Sequence, residues 1–163
     1  KVVDSGSRGL FQPTTKKNIG LSDTSTLSTE YLFAWPVKQG SISSYFGKRR
    51  KDFHDGIDIK ALRGTPVYAA RAGKIIYSGR RIKGYGNMIV IKHDDQMASV
   101  YAHNQKNTVK KNQMVAQGQK IGFVGATGKA TGSHLHFEIR KSEYPEDPLL
   151  YLPPIQTAAS ATP

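Results

Sequence analysis

The 163-residue chain has no cysteine. That excludes disulfides, thiolate metal sites and cysteine nucleophiles, so a metal here must be held by histidine and carboxylate. The absence is compatible with an exported protein. No apolar run approaches the roughly 20 residues needed to cross a bilayer. The chain does not begin with Met, and it is read as a mature or trimmed fragment. A 3.6-residue hydrophobic period is nearly missing, with one short helical turn expected near Asn107 to Asn112. No H-E-x-x-H is present, which excludes the helix-borne glutamate base of one large metallopeptidase class. Acidic residues are scarce, 12 against 24 basic ones, for a formal charge of +12. Such a surface attracts polyanions. The cations gather at Lys48-Arg49-Arg50-Lys51, Arg80-Arg81-Ile82-Lys83 and Lys106 to Lys111. No interleaved aromatic motif accompanies them, so nucleic acid is not the expected partner and a solvated basic face is as good a reading.

What is present falls into three parts. Residues 1–31 are rich in Ser, Thr, Gly and Asn and poor in large apolar side chains, the composition of a linker or flexible arm. Residues 155–163 read as a disordered tail, and 32–154 form the folding unit. Within that unit the period is two. Pro66 to Ala70, Lys74 to Ser78, Met88 to His93, Ala98 to His103, Lys120 to Val124 and Leu135 to Arg140 are expected strands, separated by recurrent glycines. Many short strands without long helices predict an all-β protein, a compact antiparallel sheet or sandwich with an open groove.

Three stretches carry candidate chemistry. Phe53-His54-Asp55-Gly56-Ile57-Asp58-Ile59 places an imidazole and a carboxylate four residues apart, with a glycine between that lets the backbone turn. Gly132-Ser133-His134-Leu135-His136-Phe137-Glu138-Ile139 is sharper, because alternation on a strand puts His134 and His136 on one side and Leu135, Phe137 and Ile139 on the other. Glu138 shares the histidine face, where it is able to support the site, although a solvent-facing position is the expectation for it. In Ser99-Val100-Tyr101-Ala102-His103-Asn104, the same alternation assigns Ser99, Tyr101 and His103 a common face. Four of the five histidines thus join Asp58 in one candidate set; His93 is left over, with a structural or surface role. A catalytic zinc takes three nitrogen or oxygen ligands and an open position, and two histidines with one carboxylate satisfy it. Alternation alone does not say which histidines would ligate.

The run from Phe46-Gly47-Lys48-Arg49 through His54 and Asp58 resembles the LytM/lysostaphin-type cell-wall zinc peptidases. So do Gly64-Thr65-Pro66-Val67-Tyr68-Ala69-Ala70, Tyr101-Ala102-His103, Gly118-Gln119 and Thr127-Gly128 through Glu138. The resemblance covers nearly all of the span from Leu32 to Pro153 and implies the LytM-type fold. It implies Zn2+ as cofactor, with His54, Asp58 and His136 as metal ligands and His103 and His134 as catalytic residues. It further implies an exported, envelope-located endopeptidase acting on peptide stems or cross-links of peptidoglycan, with the basic flank able to meet an anionic wall polymer. Gly84 to His93, Tyr101 to Asn104 and Pro148 to Pro153 are also similar to a subgroup of envelope proteins. Some members of that subgroup have lost metal ligands and activate cell-wall amidases, which makes an amidase the alternative partner and activation the alternative function. All five positions are intact here.

Two other classes are weaker. Gly64 to Ala69 and Val115 to Gly122 echo a lipoyl- or biotinyl-type carrier, but no hairpin presents a lysine for modification, and that reading leaves four histidines without a role. Nucleic-acid binding rests on net charge only.

Overall fold

The computed structural model of the chain describes residues 31–94 and 96–155. The expected arm and tail lie outside these residues, apart from Tyr31 and Ile155. Twelve strands follow in chain order: β1 (Ser41–Ser44), β2 (Gly47–Lys48), β3 (Phe53–His54), β4 (Ile57–Lys60), β5 (Pro66–Tyr68), β6 (Gly73–Gly79), β7 (Asn87–Lys92), β8 (Met97–Asn107), β9 (Met114–Val115), β10 (Lys120–Val124), β11 (His134–Lys141) and β12 (Tyr144–Glu146). All ladders are antiparallel. The main sheet runs β1-β4-β11-β8-β7-β6-β9, β10 bridges β8 and β5, and β12 borders β11. β2 and β3 form a separate ribbon. The all-β expectation is met, and each of the six expected strands is present within a few residues of its expected bounds.

Alternation explains the core. Leu135, Phe137 and Ile139 of β11, Ile57 and Ile59 of β4, Ile89 and Ile91 of β7, and Tyr101 of β8 point to one side and are buried together. On the opposite face, Met88, Val100 and Ala102 form a smaller apolar cluster under Tyr77, Tyr85 and Val90. The second face is therefore only partly hydrophobic, and its remaining positions on β4 and β11 are free for polar groups. The helical turn expected near Asn107 to Asn112 does not form. β8 continues through Asn107, and Asn112 (φ +73°) turns the chain so that its N–H donates to Ile75 O at 2.7 Å, a bond to a neighbouring strand rather than to a helical ladder. The described residues contain one 3-10 turn, Pro148–Leu150, capped by the Asp147 side chain.

His93 has the structural role expected of it. Its Nδ1–H donates to Ala72 O at 2.9 Å, its Nε2 lies 2.8 Å from Ser99 Oγ, and its ring meets the edge of Phe33 at 5.1 Å. Ser99 Oγ is in turn 2.9 Å from the Tyr101 hydroxyl, itself buried in the core. Burial, with the nearby Arg71 charge, lowers the His93 pKa below 6.5 against the opposing pull of the Ala72 carbonyl and Asp94. The unfolded chain therefore takes up this proton first, so stability is full above about pH 6.5 and declines as pH falls below it. His93→Gln should show a shallower loss of stability than the parent between pH 7 and 5, the difference bounded by about 1.4 kcal/mol per pH unit for one proton. Denaturant melts at several pH values measure it, and parallel curves for the two proteins would remove the effect.

Candidate metal centre

The site is built on the partly polar face of the sheet. β4 and β11 pair so that Asp58 stands opposite His136, and β11 and β8 pair so that His136 stands opposite Ala102. Small Ala102 leaves room above the sheet where imidazole and carboxylate project. His54 reaches the same place from β3, across the short connection to β4. Gly56 in that connection is required by contact, not by turning: its φ is not positive, and a Cβ there would lie 2.2 Å from Phe137 O. The missing side chain lets this connection lie directly on β11.

Three atoms converge. His54 Nε2 lies 3.1 Å from Asp58 Oδ1, His136 Nδ1 lies 2.9 Å from the same oxygen, and the two ring nitrogens are 3.1 Å apart. The opposite nitrogen of each ring is already committed. His54 Nδ1–H donates to Tyr45 O at 2.8 Å, and His136 Nε2–H donates to Glu138 Oε1 at 2.9 Å. A neutral imidazole carries one N–H, so the converging nitrogens both present lone pairs. With the Asp58 oxygen this makes three acceptors facing one another with no donor among them. A cation satisfies them. In its absence a proton on His136 answers Asp58: burial opposes the charge, but hydrogen bonds to Asp58 and Glu138 overcome it and raise His136 to about 9. Burial also opposes ionisation of Asp58, yet the His136 and His54 contacts hold its pKa far below the usual carboxylate range. The donor set, two imidazoles and one carboxylate, is one that zinc accepts.

Glu138 is a correction to the sequence reading. It is fully buried rather than solvent-facing. Its Oε1 accepts from His136 and from the Tyr85 hydroxyl at 2.9 Å, and its Oε2 accepts from Arg140 Nε at 2.6 Å. Burial penalises the charge, and the His136 and Arg140 bonds outweigh it and lower the pKa. Tyr85 is pushed up to about 12, by burial first and then by the Glu138 charge, so its hydroxyl stays a donor. The group thus fixes which His136 nitrogen is bare. Arg49 does similar work on the other side, donating to Asp58 Oδ2 at 3.0 Å and to Ser44 Oγ at 2.6 Å, which leaves Oδ1 for the cluster.

His134 and His103 stand beside the triad. The His134 Nδ1–H donates to Gly132 O at 2.9 Å, and the His103 Nδ1–H donates to Thr127 O at 2.7 Å. Both rings therefore keep a bare Nε2. That of His134 is 3.8 Å from Asp58 Oδ1, and the two rings are 4.8 Å apart. Burial, together with the neighbouring His134 and His136, lowers the His103 pKa, so this ring is neutral at neutral pH. The common face expected for Ser99, Tyr101 and His103 is not observed. Tyr101 packs on Phe137 in the core, while His103 lies 5.9 Å from His136 on the other side. The cause is a bulge: between the pairs Asn87–Asn104 and Ile89–Tyr101, β8 carries one residue more than β7, and His103 adopts φ +61°. The extra residue reverses the alternation and aims His103 at the triad.

All five predicted residues thus line one cleft of about 390 Å3. The sequence reading missed Arg49, Tyr85 and Arg140 as site residues. Arg49 lay within the Phe46 to Arg49 run, Tyr85 within the Gly84 to His93 stretch and Arg140 at the end of the expected Leu135 to Arg140 strand, each noted for resemblance or strand pattern and not for a place in the site. Glu138→Gln removes the charge behind His136 while keeping its shape, and should weaken zinc affinity roughly 10- to 100-fold with the fold retained. Competition against a chromophoric chelator, with circular dichroism as the folding control, reads this; unaltered affinity would show that Glu138 does not tune the cluster.

Residues 52–148 match the family described as Peptidase family M23. The chain is 52% identical over 120 residues to an uncharacterized lipoprotein, YgeR, of Escherichia coli, covering 74% of this chain and 47% of that protein. It is 40% identical over 140 residues to the murein hydrolase activator NlpD of Salmonella dublin, covering 86% of this chain and 36% of that one. A zinc-containing peptidase from Vibrio cholerae superposes with a TM-score of 0.67 at 38% identity, covering 71% of this chain and 39% of the other. The chain therefore spans less than half the length of each of these relatives. The matched segment holds every strand from β3 through β12 and the five predicted site residues, and on that match the chain belongs to peptidase family M23.

Proposed function

We propose that residues 32–154 form a zinc-dependent endopeptidase domain that hydrolyses peptide stems or cross-links of bacterial peptidoglycan in the cell envelope. The observation that carries this is the convergence of three lone pairs from His54, Asp58 and His136, with every other nitrogen of the two rings already used. Bound there, zinc would supply Lewis acidity toward the scissile carbonyl and activation of water near neutral pH.

The chain's own residues do the rest. His54, Asp58 and His136 hold the ion. Arg49 and Glu138 orient Asp58 and His136 from outside, each through a charge-assisted bond. The bare Nε2 atoms of His103 and His134 provide two sites for proton traffic: one accepts the proton of the attacking water, and the other, after taking up a proton from solvent at Nε2, donates a hydrogen bond to the developing oxyanion. Each such role is worth on the order of a hundredfold or more in rate. The cleft lies open across the sheet, which suits an extended peptide.

A second reading, activation of a cell-wall amidase, is favoured by the likeness to murein hydrolase activators. The intact set of five residues favours the enzyme. Both readings place the protein in the envelope, in keeping with relatives described as lipoproteins.

His136→Ala is expected to lose zinc and activity together, while His134→Ala keeps the metal and loses most turnover. Elemental analysis of the purified variants, with mass analysis of products from purified sacculi, tests both. Chelator-sensitive release of peptide fragments by the protein alone is the expected parent result. A metal-free His134→Ala protein would show the ligand assignment to be wrong, and fragment release only in the presence of an added amidase would replace the enzyme with the activator.

A further inference from the structure

The charges lining the cleft do not balance. Asp58 is paired with Arg49, and Asp55 with Arg140 at 3.4 Å, the same guanidinium that serves buried Glu138. Lys83 and Lys129 also line the cleft, both exposed, and neither has a carboxylate partner among the described residues. Two cations therefore share the cleft with His103, with no carboxylate among the described residues to answer them.

These lysines are not on loose segments. Lys129 N–H donates to Gly84 O at 2.9 Å, and Asn87 N–H donates to Thr127 Oγ1 at 2.9 Å, joining the loop before β7 to the loop after β10. At Gly86 (φ +63°) a Cβ would lie 2.4 Å from Thr127 Oγ1, and at Gly128 (φ +73°) 2.4 Å from Gly86 N, so only glycine admits this contact. The same two loops hold His103, through Tyr85 O accepting its backbone N–H at 2.9 Å and Thr127 O accepting its ring N–H. Lys83 and Lys129 are each two residues from one of these anchors. Their backbone positions are thereby tied to that of His103.

We propose that Lys83 and Lys129 form a carboxylate-binding subsite on the His103 side of the cleft, so that the peptide bound there carries a free carboxylate within a residue or two of the bond beside the triad. This rests on the reading of the cleft as a peptide site, whether for cleavage or for binding alone. A lone carboxylate approaching the subsite meets two primary ammonium groups, while the cleft's own Asp55 and Asp58 are each paired with an arginine. A carboxamide in its place offers no charge. The subsite therefore selects among wall peptides by the amidation state of their acidic groups.

The probes are synthetic cross-linked stem peptides, fluorescein-labelled, identical except that the carboxylates flanking the cross-link are free in one and carboxamides in the other. Anisotropy titrations at fixed, moderate salt give the ratio of their dissociation constants. For the parent protein the free-carboxylate peptide should bind tighter by roughly tenfold or more, the size of a charge-assisted hydrogen bond. In Lys83→Gln/Lys129→Gln that ratio should fall to near one, and Lys83→Arg/Lys129→Arg should restore most of it. Two further probes, amidated at the chain-end or at the side-chain carboxylate only, tell which source is held. Equal binding of the first two probes by the parent, or a ratio unmoved in the Gln variant, overturns the subsite. Hydrolysis followed on the same peptides separates the two claims. Selective binding without cleavage sinks the enzyme reading and leaves the subsite standing, whereas cleavage without selectivity does the reverse.

Discussion

Three acceptors held within about one hydrogen-bond length of each other are the constraint around which this cleft is arranged. His54 Nε2, His136 Nδ1 and Asp58 Oδ1 repel one another unless a cation or an extra proton lies between them. Side chains left free would turn away. They do not, because each is fixed from behind: His54 by the Tyr45 carbonyl, His136 by Glu138, and Asp58 by Arg49. The outer bonds choose the tautomers, and the tautomers leave lone pairs on the inner atoms, the form in which they could hold a metal.

That arrangement reaches into the fold at several depths. Glu138 is charged and fully buried, a costly position without partners, and three donors compensate it. One of them, Arg140, also reaches Asp55 in the connection that carries His54 and Asp58. Gly56, in the same connection, lets it touch β11 where a methyl group could not fit. The ligands come from separate stretches of chain, yet strand pairing and these contacts make their spacing a property of the sheet.

Alternation in β11 was enough to read Leu135, Phe137 and Ile139 as core and His134 and His136 as one face, because that strand is regular through this stretch. The same rule failed at His103, where a single inserted residue in β8 reverses the side, and no sequence period announces a bulge. It failed differently at Glu138. Its face was right, but its burial depends on Tyr85 and Arg140 folding over it, and Tyr85 lies 53 positions away in the chain. β1 to β4 were not expected as strands because they are two to four residues long, too short to show a period of two. The proposed metal-ligand and catalytic roles follow from family resemblance, and the geometry is in keeping with that division. His54 and His136 point bare nitrogens at Asp58 within 3.1 Å, while His134 stands off at 3.8 Å.

The triad by itself does not separate a peptidase from a binding module, because a proton on His136, between Asp58 and Glu138, also holds those three residues together without metal. The residues that argue for chemistry are the two that the triad does not need. His103 holds a left-handed backbone conformation that costs a non-glycine residue on the order of 1–2 kcal/mol. It is kept there by Tyr85 O and Thr127 O, and what this secures is an imidazole, held neutral by burial, with one nitrogen bare and 4.8 Å between its ring and that of His134. A groove that only bound peptide would be served as well by asparagine or glycine at that position, both of which adopt the same backbone more easily. Strain retained to aim a neutral imidazole at the His54–Asp58–His136 cluster is what the proposed proton transfer would require, and it is the strongest support within this fold for the catalytic proposal.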